Sequence, residues 1–370
     1  MSIHLLLKKF LKRVASMSVG SLKSEIIKVF AFTLFLYVLF GWLFYLAEKS
    51  ANPELTLSDS IWWAVVTTTT VGYGDFFPRT FMGRYVISFP LMMIGIGTIG
   101  YLVGLLANAL LEYNNRKTKG LMEIKAQNHV IICNFPNPEK ILDVMEELRA
   151  LSDFTEIRFV LITDQIAQLP EELKNKHLDF VHGNPTQENI LNKAKVLDSA
   201  GVFILASNPN DLASDERTFA IGTVIETMSK THNMPVKTVV ELVSNKNLGF
   251  LKKSGVDSII SAEGINSCLL VQEFLNQGIS EVFSQLLSNS VGSQFYIFKT
   301  RLKGRKVSDI QQAVLRHETN MQVIGLIKGN QQILNPAKSV VINEGDQLIM
   351  LAENREDFES IQNDILATEP

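Results

Sequence analysis

A chain of 370 residues, 46% apolar and 20% charged, holds about two domains with real cores, which excludes a disordered polymer. Its formal net charge of −3 leaves no overall basic field, so no nucleic-acid partner is expected. Only Cys133 and Cys268 are present, far apart and without metal-ligand spacing, which excludes a disulfide framework and a zinc site and suits a reducing compartment.

Residues 1–24 carry Lys8, Lys9, Lys12 and Arg13 among Leu5, Leu6, Phe10 and Val14 at helical spacing. That pattern predicts a basic amphipathic cytoplasmic segment lying on membrane lipid; a disordered basic tail is the alternative. The run Val29–Ala47 has no charge and spans about 28 Å as a helix, close to the hydrocarbon thickness of a bilayer. A cleaved signal peptide would explain it too, but the run is long, lacks a small-residue cleavage site and follows a lengthy basic region. A second uncharged run, Tyr85–Leu111, would span about 40 Å and so must tilt or project. Lys23 and Lys28 precede the first run, and Arg116, Lys117 and Lys119 follow the second. The expectation is a multi-pass protein of the cell membrane with both termini cytoplasmic.

Between the two runs, Leu57–Thr70 is too short to cross and leads straight into Val71-Gly72-Tyr73-Gly74-Asp75. Residues 25–112 therefore read as a pore domain: outer helix, re-entrant pore helix, filter loop and inner helix. Non-helical backbone survives at membrane depth only inside protein or along a water-filled path, and Gly72 and Gly74 permit torsions that aim carbonyl oxygens at one axis. The inner run contains Gly95, Gly97, Gly100 and Gly104. Such glycines serve either close helix packing or a bend, and Gly95 and Gly97 are the candidates for a gating hinge.

The polar stretch 113–128 reads as a linker, a tether through which force would reach the pore. From residue 129 to 261, apolar strands alternate with amphipathic helices. Strands are predicted at Arg158–Thr163, Asp179–His182, Gly201–Ala206 and Lys237–Leu242, and helices at Pro138–Leu151 and Ser214–Ser229. This alternation predicts a Rossmann-like, doubly wound parallel sheet. After the first strand stands Asn134-Phe-Pro-Asn-Pro-Glu139, with no glycine-rich loop, two residues lacking amide donors and an acid, so NAD is disfavoured. Asp164 occupies the place of a ribose-binding acid, and an ordinary turn acid is the competing reading.

The stretch Trp62–Asp75 (WWAVVTTTTVGYGD) closely resembles the pore signature of the potassium channel superfamily. The preference for potassium comes with that match. The resemblance implies that Thr70, Val71, Gly72 and Tyr73 offer oxygens to potassium ions, with Gly74 and Asp75 completing the filter, and that Trp62, Trp63 and Tyr73 brace it. One chain supplies one loop, whereas a closed carbonyl ring needs four, so a homotetramer is expected. No arginine-rich span precedes the pore, which leaves voltage without an obvious sensor.

The soluble part resembles RCK domains, a KTN lobe followed by a TrkA-C-like module, through His129–Cys133, His182-Gly-Asn-Pro-Thr186, Ser254-Gly-Val-Asp257 and Ile333–Ile349. It implies crossover helices within 262–289 that pair one domain with another, and a small α+β C-lobe at 290–370. It further implies a ring of eight domains, the second set supplied by separately made soluble copies or by a different arrangement. The layout is similar to that of calcium-gated prokaryotic potassium channels, whose ligand acids end the fourth and fifth strands. Here Ala206-Ser207-Asn208 and Glu241 with Val243 stand there, so that site is incomplete. Asp211, Asp215, Glu216 and Glu241 form a substitute cation cluster or a solvated acidic loop. Calcium and a nucleotide stand as candidate regulatory ligands. The expected function is a ligand-gated potassium channel and not an enzyme, the alternative being a regulated uptake subunit of the Trk/Ktr class. A membrane-anchored oxidoreductase fails for want of a phosphate loop and a catalytic base.

Overall fold

The computed structural model describes residues 20–367 except 175, 291, 318–319, 330 and 354–356. The predicted amphipathic segment lies, up to residue 19, outside the described residues. The chain divides after Thr118 into two compact units.

The first unit contains α1 (Gly20–Glu48), α2 (Leu57–Thr68), a π-helical turn (Met82–Ser88) and α3 (Phe89–Thr118). Ile26–Glu48 and Met82–Thr118 are long and apolar enough to cross a membrane. The inner helix continues through residues 112–118 instead of ending with the uncharged run at Leu111. The pore helix α2 begins at a capping box: the Thr56 hydroxyl accepts from the Asp59 amide, and the Asp59 carboxylate accepts from the Thr56 amide. Aromatic and aliphatic residues fasten it to α1, with Phe44 stacked on Trp63 at 3.7 Å between ring centroids and Leu36, Phe40 and Leu55 buried around them. Gly95 allows α3 to touch α2, because a Cβ there would lie 2.7 Å from Thr68 Cγ2.

The second unit is built on a six-stranded parallel sheet of order β3-β2-β1-β4-β5-β6. Its strands are β1 (Val130–Cys133), β2 (Phe159–Thr163), β3 (Leu178–His182), β4 (Gly201–Ile204), β5 (Thr238–Leu242) and β6 (Ser258–Ser261). The helices that wind it include α4 (Pro138–Arg149), α5 (Glu188–Lys193) and α6 (Ala213–His232). The strand β1 explains why its sequence is uninterrupted apolar: Ile131 and Cys133 enter the core on one face, and Val130 and Ile132 the core on the other. The doubly wound sheet expected from the sequence is present, and the order reverses between β1 and β4, where such sheets form their crevice.

Two further helices, α7 (Ala262–Leu275) and α8 (Ile279–Leu287), follow β6. Glu273 closes the turn between them by accepting from the amides of Gly278 and Ser280, each at 2.8 Å, which holds its pKa below the usual carboxylate value. A four-stranded antiparallel sheet of order β7-β10-β8-β9 then forms the small terminal module. Its strands are β7 (Gln294–Lys299), β8 (Met321–Lys328), β9 (Gln331–Leu334) and β10 (Gln347–Ala352), with α9 (Val307–Arg316) and α10 (Asp357–Ala367) over a separate core. The lobes are tied by Glu147 of α4, whose carboxylate accepts from the Ser288 hydroxyl and the Asn289 amide.

His129, just before β1, is fully buried, with Nε2 3.0 Å from the Ala194 carbonyl. Burial pushes its pKa below the ordinary value, and the Ala194 carbonyl opposes this only in part. The unfolded chain therefore takes up a proton below about pH 6.5 that the folded chain refuses, so stability falls as pH drops through that value. Thermal midpoints of the detergent-solubilised protein should decrease from about pH 7.5 to about pH 5.5, and His129→Gln should flatten that slope.

Candidate pore filter and nucleotide-type crevice

The filter grows out of the last turn of α2. The amides of Thr69 and Thr70 donate to the carbonyls of Val65 and Thr67, and those of Val71 and Gly72 both donate to Val66, at 3.1 and 3.3 Å. The backbone then alternates in hand: Thr70, Gly72 and Gly74 have φ of 58°, 58° and 78°, whereas Val71 and Tyr73 do not take positive φ. Alternating hand cancels the pleat of an extended strand, so successive carbonyls can turn to one side instead of opposite sides. Glycine takes this conformation without penalty, but β-branched Thr70 stores about 1–3 kcal/mol of strain, and only a braced surrounding keeps it there.

The brace joins pore helix to filter. Trp62 Nε1 donates to Asp75 Oδ2 at 2.8 Å, and the Trp62 and Tyr73 rings lie 6.1 Å apart and 10° from parallel. Trp63, paired with Trp62 in the sequence reading, is buried against Phe44 of α1 and not against the filter turn. Gly95 sits in tight contact with Thr68, as described, while a Cβ on Gly97 would meet nothing within 4 Å.

A residue overlooked by sequence reasoning organises the loop beyond the filter. Glu48, the last residue of α1, is 1% exposed, and its carboxylate accepts from the amides of Arg79 and Thr80 at 2.9 Å each and from the Thr80 hydroxyl at 2.7 Å. A charged residue ending an apolar run ordinarily marks the water boundary, so its inward role has no local signal. Glu48→Ala would leave two part-buried amides without their acceptor, at up to about 1 kcal/mol each. The variant should lose several degrees of thermal midpoint in detergent, with Glu48→Gln, whose amide oxygen still accepts, falling between it and the parent.

In the second unit, side chains at the carboxyl ends of β1, β2 and β4 bond to one another across the crevice. Asn134, fully buried at φ 72°, takes the left-handed conformation at the first position after β1. Its side chain donates to the Leu205 carbonyl at 2.8 Å and accepts from Arg217 Nε at 2.7 Å. The other side of the Arg217 guanidinium pairs with Asp164, so the carboxylate considered for ribose is already engaged. Gln165 fills the adjoining space by accepting from the Phe135 amide at 2.8 Å. Cys133, buried beside this network, has its thiol pKa pushed up to about 12 by burial and is not a reactive group.

The expected cation cluster of Asp211, Asp215, Glu216 and Glu241 is not formed. Asp215 is 2% exposed and spends its oxygens on the amides of Val243 and Ser244 and the Asn247 side chain. Glu241 accepts from the Ala206 amide at 3.1 Å and pairs with Lys140 at 3.0 Å. Asp211 accepts from the Ala213 amide, and Glu216 is exposed. Among the described residues no group of three or more His, Cys, Asp or Glu is placed to hold a metal ion. Asp211, Asp215 and Glu216 share a stretch of sequence and Glu241 lies on β5, but backbone amides claim Asp211, Asp215 and Glu241.

Helices α7 and α8 leave a broad apolar face open. Leu270, Val271, Leu275, Val282 and Leu287 are exposed, and Phe274 is 90% exposed. A contiguous apolar face of this kind on a soluble part marks a protein contact.

Comparison with known proteins places relatives on both units. The family model described as ion channel matches residues 32–112, and that of the calcium-activated potassium channel slowpoke-like RCK domain matches 125–238. A third, Castor and Pollux, part of voltage-gated ion channel, matches 263–367. Potassium channel protein 1 of Methanocaldococcus jannaschii is 27% identical over 307 residues, covering 81% of this chain and 86% of its own. The calcium-gated potassium channel TvoK of Thermoplasma volcanium is 26% identical over 347 residues, covering 91% and 94%. Among solved structures, the human SLO3 gating ring aligns with a TM-score of 0.51 at 14% identity, covering 64% of this chain and 46% of that one, a likeness of fold alone. Across three such structures this chain spans between 46% and 59% of the other chain's length. The chain is thus similar to ion channels in its first unit, to the slowpoke-like RCK domain in its Rossmann-like part, and over most of its length to these two potassium channels.

Proposed function

We propose that this chain is one subunit of a potassium-selective channel whose opening is set by a ligand of its cytoplasmic RCK domain. The observation that carries the reading is the filter turn. Alternating left-handed residues at Thr70, Gly72 and Gly74, set between two apolar helices and braced by the Trp62–Asp75 hydrogen bond, provide carbonyl oxygens in place of an ion's water shell. One filter per chain requires four chains around the axis, which disfavours the single-chain uptake proteins. In this reading the protein sits in the cell membrane with both termini cytoplasmic, and the apolar face of α7 and α8 pairs one RCK domain with another.

The ligand acts only through its different affinities for closed and open arrangements of the ring. Calcium at the acidic residues around Asp215 and NAD at Asp164 are both disfavoured by the partners those groups already have. Gly95 and Gly97 are the bend candidates of the inner helix: within one chain Gly95 is held against Thr68, and Gly97 has room for a Cβ.

The first test is rubidium uptake into liposomes holding the purified protein, with calcium, magnesium or adenine nucleotides inside. Barium-sensitive uptake, altered by one of these, is the expected result; no uptake would overturn the channel. Gly72→Ala, forcing a side chain into φ 58°, should abolish uptake while the tetramer still assembles. Gly97→Ala should lower open probability several-fold in single-channel records with unitary current unchanged, and an unchanged open probability would remove the hinge.

A further inference from the structure

We infer that the Rossmann lobe grips the chain at Gly120, two residues beyond the end of the inner helix, and that α5 is the part of the lobe that moves this point; the inference rests on the channel reading above. The polar stretch after the inner helix has the composition of a free tether, yet it is docked along its length. Gly120 is buried in the left-handed conformation at φ 63°, and its carbonyl accepts from the His182 amide at 3.1 Å and from Lys193 Nζ at 2.8 Å. A Cβ at this position would stand 2.3 Å from the His182 nitrogen, so the contact admits only glycine. Further on, the Ile124 amide donates to the Lys193 carbonyl at 3.1 Å, and the Asn128 amide to Asp198 at 2.8 Å.

Lys193 is the last residue of α5, and it holds the passing chain twice, by its ammonium at Gly120 and by its carbonyl at Ile124. Between these points Ile124 is 5% exposed and packs in one cluster with Leu191, Ala194, Ile221 and Ile225. Ile221 and Ile225 belong to α6, the helix that carries Asp215 and Arg217 at the crevice. A change at the crevice that shifts α6 therefore meets α5 and the docked segment through close-packed side chains, which transmit displacement because interiors resist compression.

The consequence lies in the missing slack. The inner helix ends at Thr118 and the grip begins at Gly120, which leaves Lys119 alone between them. One residue reaches about 3.6 Å at most, so it cannot absorb a displacement of several ångströms as a long tether would. Coupling runs through a short link anchored at the α5 corner, and the stretch from Ala126 onward lies behind the anchor.

That difference gives the test. Gly-Ser-Gly is inserted after Thr118 in one variant and after Ala126 in another, and full-length channels are recorded in planar bilayers without ligand and with calcium on the RCK side. Insertion after Thr118 should change open probability several-fold, insertion after Ala126 should leave it at the parent value, and Lys193→Met should shift it in the direction of the Thr118 insertion. Equal effects of the two insertions overturn the grip, since a simple tether would not distinguish them. Amide hydrogen exchange reads the docking independently of current: His182 and Ile124 should exchange slowly in the parent, and fast exchange at both overturns the proposal whatever the currents show. Slow exchange in a parent that passes no potassium current would instead overturn the channel reading, and with it the role given to the grip.

Discussion

Lipid offers no partner to a backbone amide, and the architecture of the first unit follows from that. Two long apolar helices satisfy their own amides, and irregular backbone between them must be satisfied or shielded by protein wherever it meets lipid. The pore helix does this with its Val66 carbonyl, which receives both the Val71 and Gly72 amides and so starts the filter in register with the helix. From that point the left-handed residues at 70, 72 and 74 follow, and the aromatic and carboxylate contacts around Trp62 and Asp75 restrain a strand that has no hydrogen-bonding neighbour of its own. Glu48 extends the same logic to the far side of the filter, where its buried carboxylate takes up the amides of the descending loop.

Much of this was legible in the sequence because the signals are local. Two uncharged runs, a short apolar segment between them and the glycines that follow it suffice to place two long helices, a short helix between them and the left-handed turn at its end. The β1 strand was equally readable, since a short fully apolar run followed by turn residues has few other uses. The limits appear where partners are distant in sequence. Glu48 meets Thr80, Asp164 meets Arg217, and Asp215 meets Val243, pairings that no spacing rule announces. The acidic stretch around Asp211 suggested a cation because charge is visible in a sequence, whereas the amides that claim those charges are not. Gly120 is a similar case: in a polar stretch it reads as flexibility, and in the fold its lack of a side chain lets the chain lie against β3.

The second unit has the strand order of a dinucleotide-binding sheet, and its own side chains bond to one another across the crevice. Asn134 takes up the backbone geometry that glycine would otherwise supply, and Arg217 places a permanent positive charge against Asp164. The guanidinium thus gives the exposed Asp164 carboxylate a charge-assisted partner at the place where a ribose-binding acid would stand.

The open apolar face of α7 and α8 also has a consequence for the membrane half. Association through such a face depends on how often two copies meet, and separate soluble copies at low concentration would leave it wet. In the channel proposed above, chains joined in a common pore would raise the effective concentration of these faces toward the millimolar range. Their pairing would then owe part of its stability to the bilayer, and dissolving the membrane assembly would weaken contacts that no lipid touches.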